Sequence, residues 1–179
     1  MRATVRPTRR AQLDECPQQE NHRSFTMVEI REFTMQDYPA AHALWRESEG
    51  IALRESDSPE SINHFLDRNP GMSFVAYDGD RLVGAALGGH DGRRGYLHHV
   101  AVARRERRSG IGSALVLRCL DKLRACGIER CHLFIERENP QAKAFWKGIG
   151  WFERNDLWMM SRDLRNPSPV SGETASSDR

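Results

Sequence analysis

A cluster of arginines and glycines between residues 104 and 112 forms a candidate anion-binding turn. Gly110 and Gly112 stand at the expected start of a helix, whose first N–H groups are unpaired and carry the positive end of the helix dipole. Because these glycines have no side chains, phosphate oxygens can approach the backbone closely. Guanidinium groups bind phosphate through paired hydrogen bonds, and the turn contains Arg104, Arg105, Arg107 and Arg108. The pattern indicates a phosphate site, and it is also typical of a capped helix beside a solvated arginine cluster.

This turn is predicted to lie between a strand and a helix. Residues 95–102 are expected to form the strand, and residues 110–126 carry apolar side chains every three or four positions, which indicates a helix with one buried face. That apolar stripe consists of Ile111, Leu115, Cys119, Leu123 and Cys126. Gly127 is expected to end the helix. A phosphate bound by the turn would therefore lie at the N-terminus of a helix whose apolar face packs against the strand.

The remaining elements are predicted from alternation, capping residues and turns. Before the turn we expect strands at residues 28–33, 72–77 and 81–89, one helix after the N-cap Thr34 and another after the N-cap Ser58. After it we expect a strand at residues 131–135, a helix from Pro140 to Gly148, and strands at residues 151–152 and 157–161. This order of elements predicts an α+β (mixed α/β) fold.

Composition limits the classes of protein that fit. The chain has 179 residues, 39% of them hydrophobic, and a formal net charge of +2, which favours one domain at residues 27–165 without bulk attraction to nucleic acid or membrane. Residues 1–26 and 166–179 lack periodicity and are predicted to be a disordered N-terminal extension and a disordered C-terminal tail. No apolar run reaches the about 18 residues of a membrane-spanning helix. The four cysteines form no CxxC pair, which favours a reduced, cytoplasmic setting.

Two segments of the chain resemble a known family. Arg107-x-x-Gly110-x-Gly112, after a strand that ends in Val100-Ala101-Val102, is similar to the Arg/Gln-x-x-Gly-x-Gly/Ala motif of the GNAT (N-acetyltransferase) superfamily. The stretch Asn139-x-x-Ala142-x-x-Phe145-Trp146-Lys147-x-x-Gly150-Trp151 resembles a second family segment, Asn-x-x-Ala-x-x-Phe-Tyr-x-x-x-Gly-Phe. The resemblance covers residues 27–163, and in layout the chain looks like small bacterial members of the ribosomal-protein-acetylating type.

The resemblance implies both a fold and a cofactor. The fold is a central twisted, mostly antiparallel sheet of six to seven strands, flanked by about four helices and splayed between the fourth and fifth strands. The cofactor is acetyl-CoA, bound at that gap without a metal. The implied contacts are the strand residues Val100, Ala101 and Val102, the turn residues Arg107, Arg108, Ser109, Gly110, Ile111, Gly112 and Ser113, and the later residues Asn139, Phe145 and Trp146. Core packing is an equal explanation for Phe145.

The implied reaction is acetyl transfer to a primary amine by direct attack in a ternary complex. His98 and His99 adjoin the expected gap and are candidate bases, and only one should face the acceptor because neighbouring side chains of a strand alternate. Glu136 is a third candidate, acting through water. Purely structural histidines, or a metal site formed with His90, are the alternatives.

One departure from the family concerns the leaving thiolate. Many members have a tyrosine acid at the position of Trp146, whose indole N–H donates a hydrogen bond but keeps its proton. Tyr96 is a candidate to supply a proton instead. A catalytically weak or inactive acyl-CoA-binding module is therefore the alternative function.

The resemblance also bears on partners. The acceptor is expected to be a protein N-terminus, a lysine or a small amine, and family members often form a homodimer through their C-terminal strands. An acidic stretch would suit a cationic amine, although solvated helix ends explain it as well; it consists of Glu47, Glu49, Glu55, Asp57 and Glu60. Nucleic-acid binding ranks last, because the arginines lack interleaved aromatic residues.

Overall fold

The structure, a computed structural model, describes residues 27–164. The predicted extensions at residues 1–26 and 166–179 lie outside the described residues. The strands are β1 (Glu29–Glu32), β2 (Phe74–Asp78), β3 (Arg81–His90), β4 (Gly95–Val102) and β5 (Cys131–His132). The α-helices are α1 (Tyr38–Arg46), α2 (Pro59–Arg68), α3 (Ile111–Ala125) and α4 (Pro140–Gly148). Short 3-10 turns lie at Met35–Asp37, Glu55–Asp57 and Arg104–Glu106.

The five strands form one sheet in the order β1-β2-β3-β4-β5. The first four pair antiparallel and β5 pairs parallel to β4. The prediction of a mixed α+β fold with a mostly antiparallel sheet is therefore confirmed, as are the four helices. The predicted count of six to seven strands is too high for the described residues.

Residues 151–164 form no strand, so the predicted strands at residues 151–152 and 157–161 are wrong. A half-buried strand needs side chains that are alternately buried and exposed, but Trp158, Met159 and Met160 in succession are 87%, 69% and 92% exposed. The predicted strand at residues 131–135 is also reduced to Cys131–His132. A two-residue strand offers little edge for further strands to pair with.

Two apolar layers cover the two faces of the sheet. Val75, Ala85 and Ala101 pack with α1 and α2 on one face, where Trp45 is fully buried. On the other face, the predicted stripe of α3 is buried at Ile111, Leu115, Cys119 and Leu123. Cys126 is exposed because α3 ends at Ala125, one residue before it.

A buried carboxylate ties the α1 side of the molecule to the sheet. Asp37 accepts hydrogen bonds from the Arg31 guanidinium at 2.8 Å, the Thr34 N–H at 2.9 Å and the Tyr77 hydroxyl at 2.8 Å. Burial raises the pKa of Asp37, but the bonds from Arg31, Thr34 and Tyr77 outweigh it and lower the pKa to about 2. The charged carboxylate therefore fixes the start of α1 against β1 and β2.

β4 has a bulge in its pairing with β3, and it separates from β5 after two residue pairs. Ala101 pairs with Ala85 and His98 pairs with Leu87, so His99 and Val100 together stand opposite one residue of β3. His99 has φ 48°, in the left-handed region. Beyond the pairs Gly95↔Cys131 and Tyr96↔His132, β4 and β5 make no further ladder within the described residues. The predicted splay between the fourth and fifth strands is therefore present.

No helix in residues 27–164 has the length and apolar character needed to cross a membrane.

Candidate active site

A cavity of about 510 Å³ opens where β4 separates from the chain that follows β5. Residues 97–100 of β4 form one wall and residues 133–136 contribute another. The loop after α1 adds residues 49–52 and Arg54. Six of the predicted site residues line this one cavity, namely His98, His99, Val100, Glu136, Asn139 and Trp146.

The bulge places both histidines on the face of the sheet that α1 and α2 cover. The His98 ring meets Phe65 of α2 edge-on with ring centroids 6.0 Å apart, and the His99 ring lies 5.1 Å from the Trp45 ring of α1. One extra residue at a bulge interrupts the alternation of side chains along a strand. The expectation that the two histidines point to opposite faces is therefore wrong.

His99 is held through both its side chain and its backbone. Its Nε2 lies 2.6 Å from Oδ1 of Asp57, in the 3-10 turn before α2. Its carbonyl accepts a hydrogen bond from the Trp45 indole N–H at 3.0 Å. Side chains that are far apart in the sequence thus fix the orientation of this imidazole at the cavity wall.

His98 stands in a row of aromatic rings. Its ring stacks on Tyr96 with centroids 6.2 Å apart, and Tyr96 in turn lies 5.8 Å from His132 of β5. Burial lowers the pKa of His98, and the neighbouring His99 lowers it further. A neutral His98 at neutral pH follows. Tyr96 itself does not line the cavity, although its ring stacks on His98, which does.

The predicted anion-binding turn has the backbone geometry of a helix N-terminus. Arg108 has φ 67° and Gly110 has φ 88°, and Gly110 is the N-cap of α3. The first helical bond runs from the Ala114 N–H to the Gly110 carbonyl, so the N–H groups of residues 111–113 precede it and have no helical partner. No described side chain caps α3 at this end. The turn therefore presents free N–H donors, as a phosphate requires.

Two of the predicted arginines are already paired with a carboxylate. Glu49, in the loop after α1, lies 2.9 Å from the Arg107 guanidinium and 3.3 Å from that of Arg104. The hydrogen bond and the charge of Arg107, followed by the charge of Arg104, lower the pKa of Glu49. Arg107 also donates from Nε to the Val102 carbonyl at 3.3 Å. This arginine therefore joins the end of β4 to the loop that covers the cavity.

The second glycine of the turn is favoured by close packing. A Cβ on Gly112 would lie 3.3 Å from the Phe145 ring and 3.5 Å from the Val102 side chain. By contrast, a Cβ on Gly110 would have no neighbour within 4 Å, so its positive φ is what favours glycine there. Phe145 thus packs against the turn, which supports the packing explanation for that residue.

Asn139 connects α4 with the loop after α1. Its Oδ1 accepts the Ala142 N–H at 2.9 Å, which makes it the N-cap of α4. A Cβ on Gly50, whose φ is 78°, would collide with Nδ2 of Asn139. The two segments therefore approach closely at the rim of the cavity.

Trp146 lines the cavity and has an accessible indole N–H. Its side chain is only 8% exposed and meets Phe145 and Trp151 edge-on, with centroids 5.0 and 5.1 Å apart. In residues 27–164 no buried side-chain nitrogen or oxygen lacks a partner, and the indole N–H makes no hydrogen bond there, so this N–H is accessible. An indole N–H at the cavity wall can donate a hydrogen bond to an anion.

Sequence reasoning did not assign the residues that hold the histidines. The sequence places Asp57 in an acidic stretch, and no spacing in it points to a role for Trp45. Neither lies within 40 residues of His99, and no local spacing signals a contact across such a distance. Glu49 was likewise recognised without its arginine partners.

Metal chemistry finds no support in the described part of the chain. Among residues 27–164, no group of three or more His, Cys, Asp or Glu side chains is placed to hold a metal ion. The alternative that combines His90 with His98 and His99 is therefore not found. The site combines a helix N-terminus with unpaired N–H groups, a separated strand edge and two half-buried imidazoles.

Comparisons with known proteins identify the family. Residues 27–151 match the Acetyltransferase (GNAT) family. The chain is 34% identical over 128 residues to an acetyltransferase of Pectobacterium atrosepticum, covering 71% of this chain and 85% of the relative. The protein belongs to the GNAT family and is an acyltransferase.

Solved structures share the fold. A PaiA N-acetyltransferase from Thermoplasma acidophilum in complex with coenzyme A superposes with a TM-score of 0.62 at 21% identity, covering 69% of this chain and 88% of that one. An aminoglycoside acetyltransferase from an uncultured soil metagenomic sample, in complex with sisomicin, gives a TM-score of 0.60 at 18% identity, covering 76% and 96%. At these identities the likeness concerns the fold alone.

Proposed function

We propose that this protein transfers an acetyl group from acetyl-CoA to a primary amine. The observation that carries the proposal is the cavity where β4 separates from the chain after β5. From this cavity, β4 leads to the N-terminus of α3, which has no side-chain cap. Such an arrangement has room for an extended ligand along a strand edge and free N–H donors for its phosphates. The match to the GNAT family supports the same reaction.

Three groups of residues are proposed to hold acetyl-CoA. The backbone N–H groups of residues 108–113, with Arg107, bind the pyrophosphate at the start of α3. The main chain at Val100, Ala101 and Val102 pairs with the pantetheine arm along the unpaired edge of β4. Asn139, Phe145 and Trp146 are proposed to complete the site from α4 and its N-cap.

The proposed acceptor step needs a base. Acetyl-CoA supplies the acetyl group as a thioester, which the amine attacks directly in a ternary complex. A free alkylammonium has a pKa near about 10, so its proton must be removed before attack. Of the candidates, His99 has the best-defined geometry, since its imidazole lines the cavity and is fixed by Asp57. His98 and the exposed Glu136 line the same cavity and are the other candidate proton acceptors.

The leaving thiolate is proposed to be stabilised by Trp146. Trp146 lines the cavity, and its accessible indole N–H can donate a hydrogen bond without giving up its proton. The same observation favours a second candidate function, an acyl-CoA-binding module with weak or no catalysis. Both functions require binding of acetyl-CoA, but only the acetyltransferase turns it over at an appreciable rate.

The acceptor is proposed to be a cationic primary amine. The carboxylates of Glu49 and Glu136 line the cavity, although Arg54 adds one positive charge beside them. A protein N-terminus, a lysine and a small polyamine-like molecule all satisfy this chemistry, and the neighbour in complex with sisomicin is named an aminoglycoside acetyltransferase. We further propose a cytoplasmic location, supported by the free thiols of Cys119, Cys126 and Cys131. A homodimer is proposed from the resemblance to the family.

One experiment separates the two candidate functions. Calorimetry with acetyl-CoA measures binding, and a thiol-release assay with peptides, polyamines and aminoglycosides measures turnover. Micromolar binding together with saturable thiol release from at least one amine supports the acetyltransferase. Binding without any release supports the binding module. If acetyl-CoA neither binds nor raises Tm, both proposals fail.

A further inference from the structure

The pair formed by Asp57 and His99 lies outside the motifs that define the cofactor site. Their side chains are 42 positions apart in sequence, yet Oδ1 of Asp57 lies 2.6 Å from Nε2 of His99. The two side chains are 11% and 19% exposed. A short contact at this depth fixes both partners more firmly than a surface ion pair does.

Asp57 is positioned independently of the histidine. Its Oδ2 accepts the backbone N–H of Arg54 at 2.8 Å, and its carbonyl accepts the Tyr38 hydroxyl at 2.8 Å. The first bond closes the 3-10 turn Glu55–Asp57, and the second attaches that turn to α1. One carboxylate oxygen is therefore occupied by the backbone, and the other is directed at the imidazole.

His99 is likewise fixed before any substrate arrives. The bulge gives it a positive φ of 48°, which a non-glycine residue adopts only under local constraint. The Trp45 indole holds its carbonyl and packs on its ring. Strained backbone conformations of this kind cluster at functional sites.

The contact with Asp57 selects one tautomer of the imidazole. An ionised carboxylate only accepts hydrogen bonds, so Nε2 of His99 must carry the proton. Nδ1 then keeps its lone pair. Residues 27–164 contain no buried and unpaired side-chain nitrogen, and Nδ1 has no hydrogen-bond partner among them, so Nδ1 is accessible on a residue that lines the cavity.

We propose that Asp57 is the positioning residue that holds His99 in the Nε2–H tautomer, so that Nδ1 receives the proton of the acceptor amine. This inference rests on the proposed acetyl transfer. The N–H bond of the ammonium breaks, an Nδ1–H bond forms, and the electron pair stays on the amine nitrogen for attack. The resulting imidazolium is paired with the Asp57 carboxylate and afterwards releases its proton to solvent.

Several charged or titratable groups surround this pair. His98 adjoins His99 on β4, Tyr38 reaches Asp57 from α1, and Glu60 of α2 acts on Tyr38. Glu49, Arg54 and Glu136 line the same cavity. Of these groups, Asp57 alone makes a direct hydrogen bond to the His99 ring.

The test replaces Asp57 by an isosteric amide. In Asp57→Asn, the Arg54 N–H continues to donate to the side-chain oxygen, so the NH₂ group of the asparagine faces Nε2 of His99. Because NH₂ only donates, Nε2 must accept, and the proton of His99 moves to Nδ1. We expect kcat to fall by about 100-fold or more, as loss of the correct tautomer does in other histidine–carboxylate pairs, while KM for acetyl-CoA stays within about twofold. Asp67→Asn, on the exposed side of α2, is the matched control and should keep its activity.

Two further readouts separate positioning from a merely structural role. Long-range ¹H–¹⁵N NMR of the free protein should show the Nε2–H tautomer for His99 in the wild type and the Nδ1–H tautomer in Asp57→Asn. Relative to Asp57→Asn, Asp57→Glu should restore part of kcat and the acidic limb of the pH–kcat/KM profile. His99→Gln should lack this acidic limb.

Each outcome decides between the possibilities. A wild-type His99 in the Nδ1–H tautomer, or a loss of kcat in Asp57→Asn no larger than in Asp67→Asn, overturns the inference. If the wild type binds acetyl-CoA but acetylates no amine, the proposed function fails. The NMR tautomer in the free protein still decides whether Asp57 positions His99.

Discussion

The cofactor end and the acceptor end of the candidate site differ in the groups that form them: backbone N–H groups at the first and side chains at the second. At the cofactor end, the start of α3 offers backbone N–H groups from a short stretch around Gly110, and the charged side chains with a defined partner are Arg107 and Arg104, both paired with Glu49. At the acceptor end, the His99 side chain of β4 lines the cavity, and it is held by Trp45 of α1 and by Asp57 in the turn before α2. A backbone site depends on local conformation, whereas a side-chain site depends on packing between distant segments.

This difference predicts how each end tolerates change. Placing an anion among the N–H groups should destroy the cofactor end while leaving the fold intact. Changes at the acceptor end should alter rate and pH dependence with little effect on cofactor binding. The following substitutions test this division, from the largest expected effect to the smallest.

Gly110→Asp should abolish binding of coenzyme A, with Kd rising by more than about 100-fold. The carboxylate would stand at the N-cap of α3, among the donors proposed for the pyrophosphate. Calorimetry with coenzyme A measures the change. Gly92→Asp is the matched control, since Gly92 also has a positive φ, 92°, and open space at its Cβ position. Equal Kd values for the two variants would place the phosphates elsewhere.

Substitutions of Trp146 test whether its indole N–H takes part in acetyl transfer. Trp146→Tyr supplies a hydroxyl that can give up a proton, and Trp146→Phe removes the indole donor without replacing it. We expect kcat of the Tyr variant to exceed that of the Phe variant by about tenfold, because only the former can protonate the leaving thiolate. Steady-state thiol release at saturating acetyl-CoA measures the ratio. Equal kcat values would show that this side chain takes no part in the transfer.

Glu49→Gln should tighten binding of coenzyme A by about threefold at low salt, because exposed ion pairs are weak. The carboxylate is paired with Arg107 and Arg104 and competes with phosphate for both. Glu47→Gln, on the same exposed stretch, is the control and should leave Kd unchanged. Weaker binding in Glu49→Gln would instead make Glu49 a residue that positions Arg107 for the ligand.

His98→Phe should reduce the loss of stability in acid. Burial and the neighbouring His99 lower the pKa of His98, so the unfolded chain takes up the proton more readily than the native protein. Stability is then fully present above the unfolded value of about 6.5 and falls as pH drops below it. Between pH 7.5 and 5.5 the variant should lose about 1–2 °C less in Tm than the wild type. The same substitution at the exposed His64 should leave the wild-type loss unchanged.

Local signals in the sequence predicted most of the elements that position the site. Alternation at residues 95–102 and the apolar stripe of α3 are short-range patterns, and both elements lie where they were expected. The N-cap Ser58 accepts the Ser61 N–H, as its position before Pro59 indicates. The final two strands were mispredicted because a short apolar run forms a strand only where a partner edge exists. β5 is too short to provide one.

The sequence alone determined the family, the mixed α+β fold and the candidate phosphate turn, because each depends on residue types at fixed short spacings. Only the tertiary structure decided what the histidines do. The bulge turns His98 and His99 toward the same face, and the packing of α1 and the turn before α2 against β4 brings Asp57 to Nε2 of His99. A contact between side chains 42 positions apart exists only after the chain has folded, since no local backbone preference encodes it.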